Sequence, residues 1–213
     1  MSAAAKSAVT TPLPLPEQQV LDFWFGDGLT LGWPSANRGK LWWGGGPTQD
    51  SQIQTKFGDL VDQALNAELR DWEAQPASLL ALVIVLDQFT RNTYRGQARA
   101  FAGDTRSQAL VGQAISTQVD LQLPWVGRIF FYMPLMHAEN LSLQNSCVRQ
   151  FTQLHQQAPD ALKEQVVGNV AFSMQHRDII AQFGRFPHRN QVLGRVNTPA
   201  EVEFLKTGPR FGQ

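Results

Sequence analysis

The sequence predicts an all-α fold, and three observations support this prediction. Several long segments place apolar residues three and four positions apart, which is the spacing of an amphipathic helix. Proline precedes several of these segments and glycine follows some of them, as is typical of helix starts and stops. No segment alternates apolar and polar residues clearly enough to predict a strand. We therefore expect a single all-helical domain over residues 16–213.

The N-terminal part is predicted to hold a leader, a helix and a long loop. Residues 1–15 are rich in Ala, Ser, Thr and Pro, so we expect a mobile leader that contributes nothing to the fold. Residues 17–25 show helical spacing directly after Pro16, a favoured first-turn position. Residues 26–49 are rich in glycine and tryptophan and predict a long loop that packs against the protein.

Three helices are predicted in the middle of the chain. Residues 51–72 carry an amphipathic pattern. The next helix begins at Pro76, and its residues 79–86 are apolar on every side, so it is expected to be central and buried. A third helix covers residues 104–116, with Asp104 as its N-cap.

The C-terminal part predicts two long helices and a short one. The first covers residues 134–156, and the second runs from Pro159 to Gly184, a candidate C-cap. Residues 186–196 show no clear periodicity. Thr198, followed by proline and by Glu201, predicts a capping box at the start of a short last helix.

Composition and charge exclude several classes of function. Lys plus Arg and Asp plus Glu both number 18, and a general binder of nucleic acid or anionic membrane needs a cationic excess. No run of apolar residues is long enough to span a bilayer. The single cysteine, Cys147, cannot form an internal disulfide, so we expect a soluble protein in a reducing, cytoplasmic compartment. The four histidines are scattered, and we expect no metal site and no cofactor.

Polar residues fall on helix faces that are otherwise apolar. On a helical wheel, His137, Asn140 and Gln144 lie within the core face of the predicted helix 134–156, with Glu139 at its edge. His176 lies within the apolar sector of the following helix, beside Phe172, Ile179, Ile180 and Phe183. Because buried polar groups need partners, these stripes are expected to meet.

Charged residues continue the pattern. Asp87, Arg91 and Arg95 are spaced four apart and extend the buried face of the central helix, so we expect a buried Asp87–Arg91 pair. Arginine outnumbers lysine by 13 to 5, which indicates cations used for planar or buried pairing. Four cations follow the helix that bears His176 and form a local positive patch: Arg185, His188, Arg189 and Arg195. We expect residues 185–190 to fold back over the ends of the helices that bear Arg91 and His137, with their cations facing a cavity.

Each of these features also has a structural interpretation. A buried Asp–Arg pair stabilises many folds, a core histidine is often simply hydrogen-bonded, and Cys147 fits a small buried apolar residue. Three polar stripes and a basic segment in one chain are explained more simply by one shared cavity. The alternatives stay open from composition and spacing alone.

These segments resemble the bacterial family catalogued as domain of unknown function 924. The resemblance rests on LDQFTRNTYRG at 86–96, FAGD at 101–104, YMPLMHAE at 132–139 and QFGRFPHRN at 182–190 with LGR at 193–195. It implies an all-helical, tetratricopeptide-like array of antiparallel helical hairpins and no settled activity. The family signature maps onto Asp87, Gln88, Arg91, Asn92, Arg95, His137, Glu139, His176, Arg185, His188, Arg189, Asn190 and Arg195.

Three functions are consistent with the sequence. The favoured hypothesis is a small anionic ligand, bearing phosphate or carboxylate, in an enzyme or a sensor. Its binding residues would be Asp87, Arg91, Arg95, Arg185, His188, Arg189, Asn190 and Arg195. The candidates for acid–base chemistry are His137, Glu139 and His176. The second hypothesis is a helical scaffold that binds a peptide or protein partner, and the third is a purely structural polar network.

Overall fold

The computed structural model describes residues 15–211, and this part of the chain contains helices and no strand. The α-helices are α1 (Pro16–Phe25), α2 (Gly28–Leu31), α3 (Pro47–Leu65), α4 (Pro76–Ile84), α5 (Thr90–Thr93), α6 (Asp104–Ser116), α7 (Trp125–Phe131), α8 (Met133–Met136), α9 (Leu141–Gln157), α10 (Asp160–Phe183) and α11 (Pro199–Phe204). Shorter 3₁₀ turns cover Asp71–Glu73, Ala98–Phe101, Val119–Gln122 and Pro187–Arg189, and π-helical turns cover Lys40–Gly44 and Val85–Phe89. The predicted leader lies almost wholly outside these residues, and the domain bounds stay a prediction.

Several predicted helix ends are confirmed. Helix α1 begins at Pro16, one residue before the predicted start, and α6 has the predicted bounds. Helix α10 ends at Gly184, whose φ of 69° is the left-handed conformation that favours glycine. At the start of α11 the Thr198 side chain accepts the Glu201 N–H, and the Glu201 carboxylate accepts the Thr198 N–H. These ends depend on local chemistry, which is why they could be predicted.

Other predicted bounds are wrong. The predicted loop 26–49 contains α2, the π-helical turn Lys40–Gly44 and the first residues of α3. Helix α3 ends at Leu65 rather than near Trp72, because Ala67 turns the chain with a φ of 60°. Asp104 is not an N-cap: it is the first residue of α6, and its carboxylate binds arginines instead of the helix N-terminus.

The predicted helix 134–156 is two helices separated by residues 137–140. Asn140 caps α9 by accepting the Leu143 N–H at 3.1 Å. The fully buried Gln144 donates to the carbonyl oxygens of Met136 and Ala138, at 2.6 and 2.8 Å, which satisfies backbone groups that the break leaves without helical partners. His137 and Glu139 therefore project from a turn rather than from a helix face.

The central element is α4 with the π-helical turn and α5 that follow it. Leu80 to Leu86 are all fully buried, as predicted for this segment. Helices α1, α3, α6 and α7 all pack against this central element. The chain then joins α9 and α10 through Ala158 and Pro159, and these two long helices pack against one another. Within residues 15–211, no helix is long and apolar enough to cross a membrane.

The cysteine belongs to the core. Cys147 is fully buried on α9, and burial raises the pKa of its thiol. A thiolate is the nucleophilic form of cysteine, so this side chain is inert in its buried position. The interpretation of Cys147 as a small apolar core residue fits this environment.

Candidate functional site

A buried carboxylate lies at the centre of the candidate site. Asp87 is 1% exposed on the π-helical turn. One of its oxygens lies 3.0 Å from the Arg91 guanidinium and 2.8 Å from His137 Nδ1, and the other accepts from Gln88 at 2.6 Å. Burial raises the pKa of Asp87, but Arg91 and His137 lower it more, to about 2. Asp87 is therefore ionised and fully committed to neighbouring groups.

A second carboxylate, on α6, shares Arg91 with Asp87. The Arg91 guanidinium lies 2.9 Å from Asp104 Oδ1 and donates to Asp104 Oδ2 at 3.1 Å. It also donates to the Asp87 carbonyl oxygen at 2.8 Å. Burial lowers the pKa of Arg91, while Asp104 and Asp87 raise it above its ordinary value. Arg91 is thus a well-compensated cation.

A glycine brings this second carboxylate into position. A Cβ on Gly103 would collide with the backbone of Leu86 in the π-helical turn, so only glycine allows this close approach. The next residue is Asp104, which the approach places beside Arg91. The tight packing of the start of α6 against this turn therefore builds one wall of the site.

Arg189 is the least compensated charge in the site. It is 4% exposed on the 3₁₀ turn Pro187–Arg189 and donates to the His137 carbonyl oxygen at 3.0 Å. Its approach to Asp104 is long, at 3.6 Å, and its Nε has no hydrogen-bond partner. Its guanidinium lies over the rings of Phe101 and Phe186, at 4.7 and 4.5 Å. Burial, followed by repulsion from Arg91, lowers the pKa of Arg189 to about 10.

Three histidines lie beside these charges. The rings of His137 and His176 are 6.4 Å apart, and His176 Nδ1 lies 2.7 Å from the Phe172 carbonyl oxygen. Burial lowers the pKa of His176 to about 3 and that of His188 to about 4. His188 Nδ1 is buried without a hydrogen-bond partner. The helical spacing predicted that Phe172 lies on the buried sector with His176, but Phe172 is 53% exposed.

Glu139 anchors the basic segment. Its carboxylate accepts from Arg195 at 2.6 and 2.8 Å and from the Phe186 N–H at 2.8 Å. Arg195 also donates to Asn190 Oδ1 at 2.8 Å. Burial raises the pKa of Glu139, but Arg195 and the Phe186 N–H lower it below its ordinary value. This pair holds residues 186–195 against the turn that carries His137.

Two predicted binding residues lie elsewhere. Arg95 does not continue the Asp87–Arg91 face, because α5 ends at Thr93, and it binds Asp50 through contacts of 2.6 and 2.9 Å. Arg185 binds Glu201 at 2.6 and 2.8 Å, at the start of α11. The predicted positive patch is therefore largely neutralised by glutamates. What meets is the Asp87 cluster, which consists of Asp87, Arg91, Asp104, His137 and Arg189.

Sequence reasoning missed the contributions of Phe101, Asp104 and Phe211. The first two belong to the FAGD segment noted above, and their adjacency to a glycine that permits close packing was the available signal. Phe211 stacks on His176 with ring centroids 3.7 Å apart. No periodicity or motif indicates that contact, because Phe211 lies outside the helices and is positioned only by tertiary structure.

Two surface clefts lie outside the cluster. One, of about 520 Å³, is lined by Gln182, Phe183, Arg185, Thr198, Ala200 and Glu201. The other, of about 410 Å³, is lined by Gln19, Asp22, Phe23, Lys56 and Phe57. The side chains of the Asp87 cluster meet one another directly. Residues 15–211 hold no group of three or more His, Cys, Asp or Glu side chains placed to bind a metal ion.

Comparisons with known proteins extend the similarity beyond the sequence motifs, which lie between residues 86 and 195. A family model described as bacterial protein of unknown function (DUF924) matches residues 20–209. A solved structure, that of the protein of unknown function ATU0120 from Agrobacterium tumefaciens, is similar at 30% identity and a TM-score of 0.73. The match covers 90% of this chain and 97% of that one. No curated protein matches the chain.

Proposed function

We propose that this chain, which belongs to the bacterial DUF924 family of unknown function, binds a small anionic ligand at the Asp87 cluster. The ligand bears a carboxylate or a phosphate, and Arg189 is its main partner. Arg91 and His137 lie beside Arg189 and complete the binding surface. Arg95 and Arg185 are left out of this proposal, because each is bound to a carboxylate elsewhere.

The observation that carries the proposal is the incomplete pairing of Arg189. Two other arginines of the same segment, Arg185 and Arg195, each bind a glutamate through two short contacts of 2.6 to 2.8 Å. Arg189 is more buried than either, yet its nearest carboxylate oxygen is 3.6 Å away. A buried guanidinium without a close anion is costly, and a bidentate ligand would remove that cost.

The cluster also suits acid–base chemistry. Asp87 is ionised and lies 2.8 Å from His137 Nδ1, which favours the tautomer that carries its proton on Nδ1. That tautomer leaves Nε2 free to accept a proton from a ligand. His137 is 17% exposed at its side chain, whereas His176 is 5% exposed and Glu139 is bound to Arg195. For an enzymatic function, His137 is therefore the acid–base residue and Asp87 positions it.

The structural network is the second candidate, and the direct contacts within the Asp87 cluster favour it. A peptide-binding scaffold has less support, because the distinctive residues are buried rather than arrayed along an open groove. A tetratricopeptide-like array of antiparallel hairpins is the proposed arrangement, supported by the packing of α9 on α10. A cytoplasmic location is likewise proposed, supported by the free thiol of Cys147.

Thermal unfolding in different salts tests the proposal. Phosphate, sulfate or acetate should raise the melting temperature more than chloride at equal ionic strength, because only the oxyanions match a guanidinium fork. Arg189→Lys should abolish this difference while the protein stays folded. Arg185→Lys is the matched control and should preserve it. Equal stabilisation by chloride, or an unchanged oxyanion effect in Arg189→Lys, would leave the structural network as the explanation.

A further inference from the structure

An aromatic side chain near the C-terminus covers the histidines of the site. The Phe211 ring stacks on His176 with a 3.7 Å centroid distance and a 23° angle between the ring planes. It also lies 5.8 Å from the His188 ring and 6.5 Å from the Phe186 ring. We call the surface formed by His176, Phe186 and His188 the ring slot. Phe211 fills this slot from the solvent side, since its own side chain is only partly buried.

The backbone of Phe211 is in an unfavourable conformation. Its φ is 49°, in the left-handed region that L-residues with bulky side chains rarely adopt. The preceding helix, α11, ends at Phe204, so no helical hydrogen bonds hold Phe211 in place. Ring stacking on His176 and apolar packing against Ile179, Ile180 and Phe186 keep this side chain in the slot, and a competing ring could replace it.

The ring slot is continuous with the anion-binding residue. The Phe186 ring contacts the His176 ring edge-on at 5.7 Å, and the Arg189 guanidinium lies 4.5 Å from the same Phe186 ring. One small molecule could therefore stack a ring in the slot and direct an anionic group to Arg189. His188 Nδ1, buried without a partner, lies at the edge of the same slot and offers a polar contact.

We infer that the ligand is an aromatic acid, a planar ring joined to a carboxylate, and that Phe211 occupies the ring's place when no ligand is bound. This inference rests on the proposed function and narrows it. A carboxylate is favoured over phosphate because Asp87 and Asp104 lie beside the two arginines. The two carboxylates balance the charges of Arg91 and Arg189, so these four side chains are neutral together. A carboxylate ligand adds one negative charge to them, whereas a doubly charged phosphate would be repelled more strongly.

A ligand can enter only if a covering side chain moves, because the side chains of the Asp87 cluster meet directly. Removal of Phe211 from the slot would uncover the His176 ring beside Phe186, on which the Arg189 guanidinium packs. Phe211 would then act as a plug that competes with the ligand. Only molecules in which Phe211 has left the slot can bind the ligand, so the apparent affinity falls in proportion to the fraction of such molecules.

The experiment compares the binding of acetate, phenylacetate and 3-phenylpropanoate to the full chain and to Phe211→Ala, by calorimetry. Phe211→Ala should bind the two aromatic acids about tenfold more tightly, since the competing stack is gone. Its affinity for acetate should stay unchanged. Phe211→Leu, which keeps an apolar side chain but cannot stack, should show the same direction of change. Circular dichroism of each variant verifies that the helices are retained.

Phe204→Leu is the matched control, because Phe204 packs on Phe183 at 5.0 Å, and it should leave all three affinities unchanged. If acetate and the aromatic acids all bind the full chain but Phe211→Ala and Phe211→Leu give no gain, the ring slot is wrong and the anion site stands. If none of the three acids binds any variant, and Arg189→Lys behaves like the full chain, the anion site itself is wrong.

Discussion

At the scale of single residues, the pairing of Asp87 decides the energetics of the site. Asp87→Ala should lower the free energy of unfolding by about 3–5 kcal/mol, because it leaves the buried Arg91 and Arg189 with one carboxylate fewer. Chemical denaturation measures this loss. Asp178→Ala, which removes an exposed pair with Arg177, should cost less than about 1 kcal/mol. A similarly small loss for Asp87→Ala would show that the pair contributes little.

The spacing of four residues predicted the Asp87–Arg91 pair, since both residues lie on one helical element. It could not predict that Asp104 and Arg189 complete the group, because these come from elements distant in sequence. The same spacing failed for Arg95, where the helix ends and an acid on α3 is nearer. Local pattern therefore identifies residues that need partners, while tertiary packing determines which partners they obtain.

At the scale of elements, Gly103 fixes the distance between α6 and the π-helical turn. Gly103→Ala should lower stability by about 1–3 kcal/mol, since the new methyl group must push the backbone of Leu86 away. Because Asp104 moves with the helix, the oxyanion-specific rise in melting temperature should also weaken. Gly112→Ala, on the same helix with open space around it, is the control and should be neutral or stabilising. An unchanged stability in Gly103→Ala would contradict the close approach.

Helix ends with strong local signals were predictable, and the break at residues 137–140 was not. The wheel drawn through 134–156 assumed an unbroken helix, and the capping capacity of Asn140 was the overlooked signal. Gln144, which satisfies the carbonyl oxygens at the break, lies six and eight residues after them in the sequence. The candidate acid–base residue His137 lies on this break, so the missed element end is also a functional feature.

At the scale of the whole molecule, the buried histidines make stability depend on pH. The pKa values of His176 and His188, about 3 and about 4, lie below the ordinary 6.5, so the folded state keeps both rings neutral. The unfolded chain takes up protons below about pH 6.5 that the folded chain refuses. Above that pH, the two histidines therefore do not reduce the free energy of unfolding. It should fall by about 1.4 kcal/mol per pH unit for each histidine as pH drops toward about 4.

Urea denaturation at several pH values between about 7 and about 4 measures this slope. The charged groups that face these rings are His137, Arg189, Arg210 and Glu139. Glu139 opposes the lowering of the His188 pKa, and the Phe172 carbonyl oxygen opposes the lowering of the His176 pKa. His188→Asn should reduce the slope by the contribution of one histidine, about 1.4 kcal/mol per pH unit. A stability that is flat down to about pH 4 would show that both rings accept protons in the folded state.

The π-helical turn at Val85–Phe89 has a consequence for the chain beyond it. The Thr90 N–H reaches back five residues, to the Val85 carbonyl oxygen, so the turn contains one residue more than an α-helix would need. One residue corresponds to about 100° of rotation about the helix axis. A single-codon deletion here would restore an ordinary helix, and every later side chain of that helix would turn by this angle. Arg91 would then be swung away from Asp104 with its own identity unchanged. The site therefore depends on the number of residues in this turn as well as on their types, and a scan of substitutions alone would not reveal this dependence.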